Sequence, residues 1–228
     1  MNDRQPERGT EPEPGPERGT DPAADQGGGR ILVAYGTRRG GTRGIAVELG
    51  EAFREDGLAV DVLPATVVGE LKAYDAVVLG GALYMYRWHR DARRFARRHS
   101  AELRRMPVWI FSSGPLDRSA EEKDIPPIAG VLRIMSRLHA RGHRTFGGRL
   151  NSEDAGRIGR NMARRGVEGD YRNPEQIRAW GHEIARTLAK ESAAGPDRGA
   201  KDGGAKDGGA KDGGAKDGGA RGAQDSGA

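Results

Sequence analysis

Ile31-Leu32-Val33-Ala34-Tyr35-Gly36-Thr37-Arg38-Arg39-Gly40-Gly41-Thr42 joins an unbroken apolar run to a pair of glycines bracketed by threonines. The apolar run has the length and density of a β-strand covered on both faces. A helical pattern follows at once, with Ile45, Ala46, Leu49, Ala52 and Phe53 on one face between Gly41 and Glu55, and Gly57 just past its end. Strand, glycine-rich turn and helix in that order aim several backbone N–H groups and the positive end of a helix dipole at one point. Such a point is a seat for an anion. The same residues also suit a plain strand-to-helix turn, in which Gly supplies backbone freedom and Thr caps the helix.

The kind of anion narrows by exclusion. No Lys precedes Thr42, which disfavours a nucleoside-triphosphate loop. There is no G-x-G-x-x-G followed by an acidic residue to hold a ribose, which disfavours a dinucleotide. Threonines at 37 and 42 suit one compact terminal phosphate, wrapped by hydroxyls and amides.

Outward from this point the chain divides into three. Residues 1–29 hold three Arg, seven Asp and Glu and the repeat PERGT at Pro6–Thr10 and Pro16–Thr20, with almost nothing apolar. Residues 193–228 are Gly, Ala, Lys and Asp, with four KDGGA units from Lys201 to Ala220. Neither segment can bury enough apolar surface to offset its conformational entropy, so both are expected to be disordered. Residues 30–192 remain as one domain, holding 29 basic and 20 acidic residues for a net charge of +9. That charge favours anionic ligands, acidic partners, nucleic acid or anionic lipid without choosing among them. With no cysteine, thiolate metal sites and disulfides are excluded. An acidic N-terminus without an apolar core, and no apolar run of spanning length, place the expectation in the cytoplasm.

Three further segments read as doubly covered strands: Ala59–Leu63, Ala76–Gly80 and Val108–Ser112. Helical patterns cover His89–Arg104 and Pro174–Glu191. Weaker ones cover Ile128–Leu138 and Ala155–Arg165, and Thr145–Leu150 reads as a short strand interrupted by glycines. Alternation of this kind predicts an open α/β sheet, doubly wound, with ligands beyond the carboxyl ends of its strands. The loops after the first, third and fourth strands therefore belong together. The second of them concentrates Tyr84, Tyr86 and Trp88 behind Ala82 and Leu83 in a chain with 5% aromatic residues, and the third is Ser112-Ser113-Gly114-Pro115-Leu116. Flat rings beside a phosphate seat suggest a stacked planar ligand. Ordinary packing is the competing reading of Tyr84 and Trp88.

These three loops in this order resemble the flavodoxin family. The resemblance implies a flavodoxin-like sheet of five parallel strands, ordered 2-1-3-4-5, with helices on both faces and FMN as cofactor. Carried over residue by residue, it implies that Thr37, Arg38, Arg39, Gly40, Gly41 and Thr42 hold the phosphate, Arg39 standing where the family has a third Thr. Ala82, Leu83, Tyr84, Trp88, Ser112, Ser113 and Gly114 would flank the ring. The longer pattern ILVAYGTRRGGTRGIA, VVLGGALYMYRW, RRHSAELRRMPVW and FSSGPL is similar to the branch containing menaquinone-dependent protoporphyrinogen oxidases. That likeness implies an FMN-dependent oxidoreductase acting on a porphyrinogen in haem biosynthesis, with a quinone or another redox partner. One departure bears on the acceptor: Asn151–Asp170 has few large apolar residues, which argues against docking on a bilayer and against quinone.

Arg38, Arg39, Arg43, Arg87 and Arg90 ring the expected site. Positive charge favours reduced, anionic flavin, and several screened cations together predict a potential raised by about 50 to 100 mV. The histidines at 89, 99, 139, 143 and 182 lack metal-ligand spacing, and His89 alone lies near enough to the ring to donate a proton. Two other functions fit the same residues. One is an electron-transfer module without a small-molecule substrate. The other is a flavin-free basic module that binds nucleic acid or an acidic protein, although nucleic acid is not the expected partner.

Overall fold

The computed structural model describes residues 29–150 and 169–194. The expected disordered ends, apart from Gly29 and residues 193–194, and the expected helix Ala155–Arg165 lie outside the described residues. Five strands form the parallel sheet: β1 Arg30–Gly36, β2 Ala59–Pro64, β3 Ala76–Tyr84, β5 Val108–Ser113 and β6 Gly142–Phe146. Their order is β2-β1-β3-β5-β6, and a two-residue strand β4, Arg87–Trp88, folds back antiparallel on β3. Without that hairpin the order is the expected 2-1-3-4-5.

Period-two alternation sorts the central strands onto two cores. Ile31, Val33 and Tyr35 of β1 join Ala76, Val78, Trp109 and Phe111 on one face. This face is covered by α1 Gly41–Glu55 and α6 Pro174–Ala194 through Ile45, Leu49, Phe53, Ile177 and Ile184. Leu32 and Ala34 join Val77, Leu79, Val108 and Ile110 on the other face. There Ala92 and Phe95 of α2 Arg90–Arg98, Leu103 of α3 Ser100–Leu103, and Val131 and Leu138 of α5 Ala129–Leu138 complete the packing. A short α4, Ser119–Glu122, precedes α5. Because both faces are buried, the central strands carry near-continuous apolar runs, Ile31–Tyr35, Ala76–Leu79 and Val108–Phe111. The edge strand β2 is half-buried throughout and instead carries Asp61, which pairs with Arg30 at 2.9 Å and accepts from the Tyr74 hydroxyl at 2.8 Å.

Three elements depart from expectation. The helix expected over His89–Arg104 breaks at His99, whose buried ring packs 4.8 Å from that of Phe95 while Nδ1 lies 2.9 Å from Glu102 Oε2. Strand β3 runs four residues past Gly80 because Leu83 and Tyr84 pair with Trp88 and Arg87. The strand expected over Thr145–Leu150 is two: β6 ends at Phe146, and β7 Arg149–Leu150 pairs with β8 Gly169–Asp170. The break lies at Gly147, where a Cβ would sit 1.8 Å from the carbonyl oxygen of Tyr171.

Candidate functional site

The carboxyl ends of β1, β3, β5 and β6 open onto a common edge. Loop one, Thr37–Gly40, leaves β1 and turns through Gly40 at φ 75°, a left-handed conformation that favours glycine. Helix α1 then begins with no side-chain cap and no acidic residue in its first turn. Its first amides have no intrahelical partner, and Gly44 is the first whose N–H reaches back, to the Gly40 carbonyl at 3.2 Å. Thr42 lies at the centre of this turn, 1% exposed, and its Oγ1 has no hydrogen-bond partner. A partnerless buried hydroxyl beside uncapped helix amides is a set of donors suited to an anion. The donor set thus fits a phosphate.

Loop two is a hairpin tip. Met85 and Tyr86 adopt φ 49° and 57°, the left-handed pair of a two-residue type I′ turn that glycine or asparagine normally supplies. Tyr84, Met85 and Tyr86 are 42%, 76% and 90% exposed. Trp88 behaves differently. It is 2% exposed, packs in the core with Leu79 and Phe95, and a Cβ on Gly81 would lie 2.5 Å from its Nε1. Trp88, expected to flank a ligand ring, is turned inward by antiparallel pairing with Leu83 and packs against the core, with its Nε1 lacking a hydrogen-bond partner. Tyr84 and Tyr86 are the aromatic rings left facing outward.

Loop three follows β5. Ser112 is buried, its Oγ 3.0 Å from His143 Nε2, and burial lowers the His143 pKa to about 4 although Asp124 opposes the shift. His143 is thus neutral at pH 7 and fixes the Ser112 hydroxyl. Gly114 donates its N–H to the Phe146 carbonyl at 3.1 Å, and a Cβ on it would lie 3.0 Å from Leu83. Loops two and three consequently touch, with Ala82, Leu83, Ser113 and Gly114 along their seam.

A fourth segment was missed by sequence reasoning. The backbone of Arg149 passes 3.5 Å from where a Gly41 Cβ would stand. Arg172 occupies the space beside Gly44, where a Cβ would lie 1.6 Å from its Nη1, and it is held by both carboxylate oxygens of Asp170. Those hydrogen bonds lower the Asp170 pKa and raise that of Arg172. The signal was present in Gly147-Gly148 after a strand, the same glycine-rich pattern as loop one.

Cations surround the seat. Arg38, Arg43 and Arg87 are exposed, and Arg39 is half-buried. Burial lowers the His89 pKa, Asp91 opposes this, and Arg90, Arg38 and Arg93 reinforce it. Its Nδ1 accepts from the Asp91 N–H at 3.3 Å, so His89 caps α2. Tyr35, beneath loop one, is raised by burial against the pull of Arg43. Among the described residues no His, Cys, Asp and Glu group is arranged for a metal, and no helix is long and apolar enough to cross a membrane.

The flavodoxin-domain family model matches residues 32–175, covering loops one to three and the start of α6. The chain belongs to the flavodoxin family. FMN is the cofactor that goes with that membership. The protoporphyrinogen IX dehydrogenase (quinone) of Escherichia coli strain K12 is 29% identical over 96 residues, 41% of this chain and 53% of that protein. The chain thus spans about half the length of the curated relatives it matches. Among solved structures, rubredoxin oxygen:oxidoreductase from Desulfovibrio gigas superposes with a TM-score of 0.51 at 13% identity, over 72% of this chain and 37% of that one. An archaeal flavodoxin gives 0.49 at 15%, over 70% of this chain and 99% of that one.

Proposed function

We propose that this flavodoxin-family domain is an FMN-dependent oxidoreductase that withdraws electrons from a reduced small-molecule donor of the porphyrinogen type. The observation that carries the reading is the orphaned Thr42 hydroxyl beneath an uncapped helix start and a cationic rim. An exposed loop ringed by acidic residues would suit a low-potential carrier; this rim suits a flavin that accepts electrons. The donor class comes from the likeness to the dehydrogenase.

When bound, FMN supplies the hydride- and electron-accepting ring. The protein's part is to hold and tune it. Thr42 Oγ1 and the first amides of α1 would bind the phosphate, and Thr37 would bracket it. Arg38 and Arg39 would balance its charge and the negative charge that enters the site on reduction. Leu83 and Tyr84 on one side, with Ser113 and Gly114 on the other, would orient the ring, while Trp88 and Leu83 keep water from its buried edge. His143, neutral at pH 7, holds the serine turn through Ser112.

The test is direct. The full chain is titrated with FMN and with riboflavin, and the loaded protein is then mixed anaerobically with protoporphyrinogen. Saturable FMN binding at least tenfold tighter than riboflavin, followed by bleaching of the flavin band, supports the reading. Absence of FMN uptake ends it. Uptake without bleaching removes the porphyrinogen and leaves electron transfer between proteins.

A further inference from the structure

Helix α2 carries Arg90, Arg93, Arg94, Arg97 and Arg98, all exposed, within nine residues. Its one carboxylate, Asp91, is half-buried and already 3.5 Å from Arg90 and 3.6 Å from His89. Among the described residues no salt bridge engages Arg93, Arg94, Arg97 or Arg98. Four cations spaced three and four apart repel one another along the helix, and Arg90 and Arg93 also oppose the positive end of its dipole. Folding gains nothing from that arrangement, so its rationale lies outside the isolated fold.

The location is specific. The first turn of α2 abuts the end of β1, since a Cβ on Gly36 would lie 2.8 Å from the Ala92 nitrogen and 2.9 Å from His89 Nδ1. One residue before it stands the hairpin that carries loop two. The arginine stripe therefore begins at the flavin loops and runs about 13 Å away from them along the helix. Midway it borders a groove of about 460 Å³ shared with Ala65 and Thr66, with Phe95 in its lining and Asp91 in its wall. At its head is the tip Met85-Tyr86, apolar, exposed and held in a strained turn. Exposed Tyr and Met beside Arg is the composition of a protein–protein contact. A polyphosphate would have no use for the partly apolar groove or the Met85-Tyr86 tip.

We propose that this face docks an acidic electron-carrier protein, its carboxylates on the α2 stripe and its apolar centre on the Met85-Tyr86 tip. The proposal rests on the flavin reading, because docking here brings the carrier to the flavin mouth. Each encounter moves one electron from the reduced flavin to an oxidised one-electron iron–sulfur or haem centre. Two encounters, with the flavin's protons released to solvent, reoxidise one two-electron-reduced flavin, and the cycle repeats for each further pair of electrons the donor gives up.

The FMN-loaded full chain is titrated with a fluorescently labelled, acidic plant-type [2Fe–2S] ferredoxin at low and at physiological salt. Duplex DNA and phosphatidylglycerol vesicles serve as competing polyanions, and basic cytochrome c as the opposite charge. Binding to ferredoxin that weakens at least tenfold with salt, at least tenfold in R94E/R97E/R98E, and severalfold in M85S/Y86S is the expected result. The milder R94Q/R98Q keeps the test open if charge reversal disturbs folding, and FMN uptake, read by absorbance, is expected to be unchanged in both arginine variants. The proposal is overturned if ferredoxin does not bind, if neither stripe nor tip variant alters its affinity, or if DNA, vesicles or cytochrome c bind more tightly at equal salt. Ferredoxin binding by a chain that takes up no FMN would sustain the docking face and sink the flavin reading instead.

Discussion

Replacing Thr42 with Val separates what the fold needs from what the ligand needs. Val matches the shape and β-branching of Thr and deletes only the hydroxyl, which is buried and without a partner. A buried unsatisfied polar group costs about 1–3 kcal/mol, so the ligand-free variant should be more stable than the wild type by about 1 kcal/mol. In a domain of this size that raises the melting temperature by roughly 2–4 °C. FMN binding should move the other way. A hydrogen bond from a hydroxyl to a charged phosphate is worth about 1.5–3 kcal/mol, so FMN affinity should fall roughly 10- to 150-fold. Riboflavin, which has no phosphate, should bind both proteins alike. Urea unfolding without ligand gives the first quantity, and flavin fluorescence titrations give the other two. The reasoning fails if the ligand-free variant is less stable than wild type, if FMN affinity changes less than threefold, or if riboflavin loses as much affinity as FMN.

Three further outcomes are expected. His143 has a folded pKa of about 4 against an ordinary 6.5, so the unfolded chain binds the extra proton between those values and stability should rise with pH across that window. The gap corresponds to roughly 3 kcal/mol, reduced to about 1–2 by solvent screening of a partly exposed ring; urea midpoints at pH 4.5 and 7.5 should converge in His143→Gln. Trp88→Ala should destabilise the domain by about 3–5 kcal/mol because it empties a core site, whereas Tyr84→Ala should change stability by less than about 1 kcal/mol and weaken FMN binding. Equal stability loss in the two denaturation curves would contradict the inward placement of the indole. Gly147→Ala should cost at least about 1–3 kcal/mol, since the new Cβ would overlap the Tyr171 carbonyl oxygen and nothing there is a flexible side-chain end. A neutral substitution would show that the break between β6 and β7 has another cause.

How much was legible depends on how local the cause is. The strand Ile31–Tyr35, the turn at Gly40 and the helix from Gly41 follow from the order of residues along the chain, because burial on both faces, backbone freedom and a helix start each have a local signature. Four apolar strands alternating with helices were enough for an open parallel sheet with ligands expected at its carboxyl edge; the strand order came from the resemblance to the flavodoxin family. The proposed phosphate seat rests likewise on a composition of Gly and Thr at fixed spacing.

Tertiary structure decided what the aromatic residues do. Tyr84, Tyr86 and Trp88 are alike in sequence as flat rings in one loop. Pairing of Leu83 with Trp88 across a two-residue turn sends one indole into the core and leaves two phenols outside. The same holds for Ser112 with His143 and for Gly44 with Arg172, pairs 31 and 128 residues apart that meet only once β6 and β8 are in place. No pattern within a window of the chain encodes such meetings. Burial, which lowers the His143 pKa and leaves the Thr42 hydroxyl without water, exists only after the layers have closed.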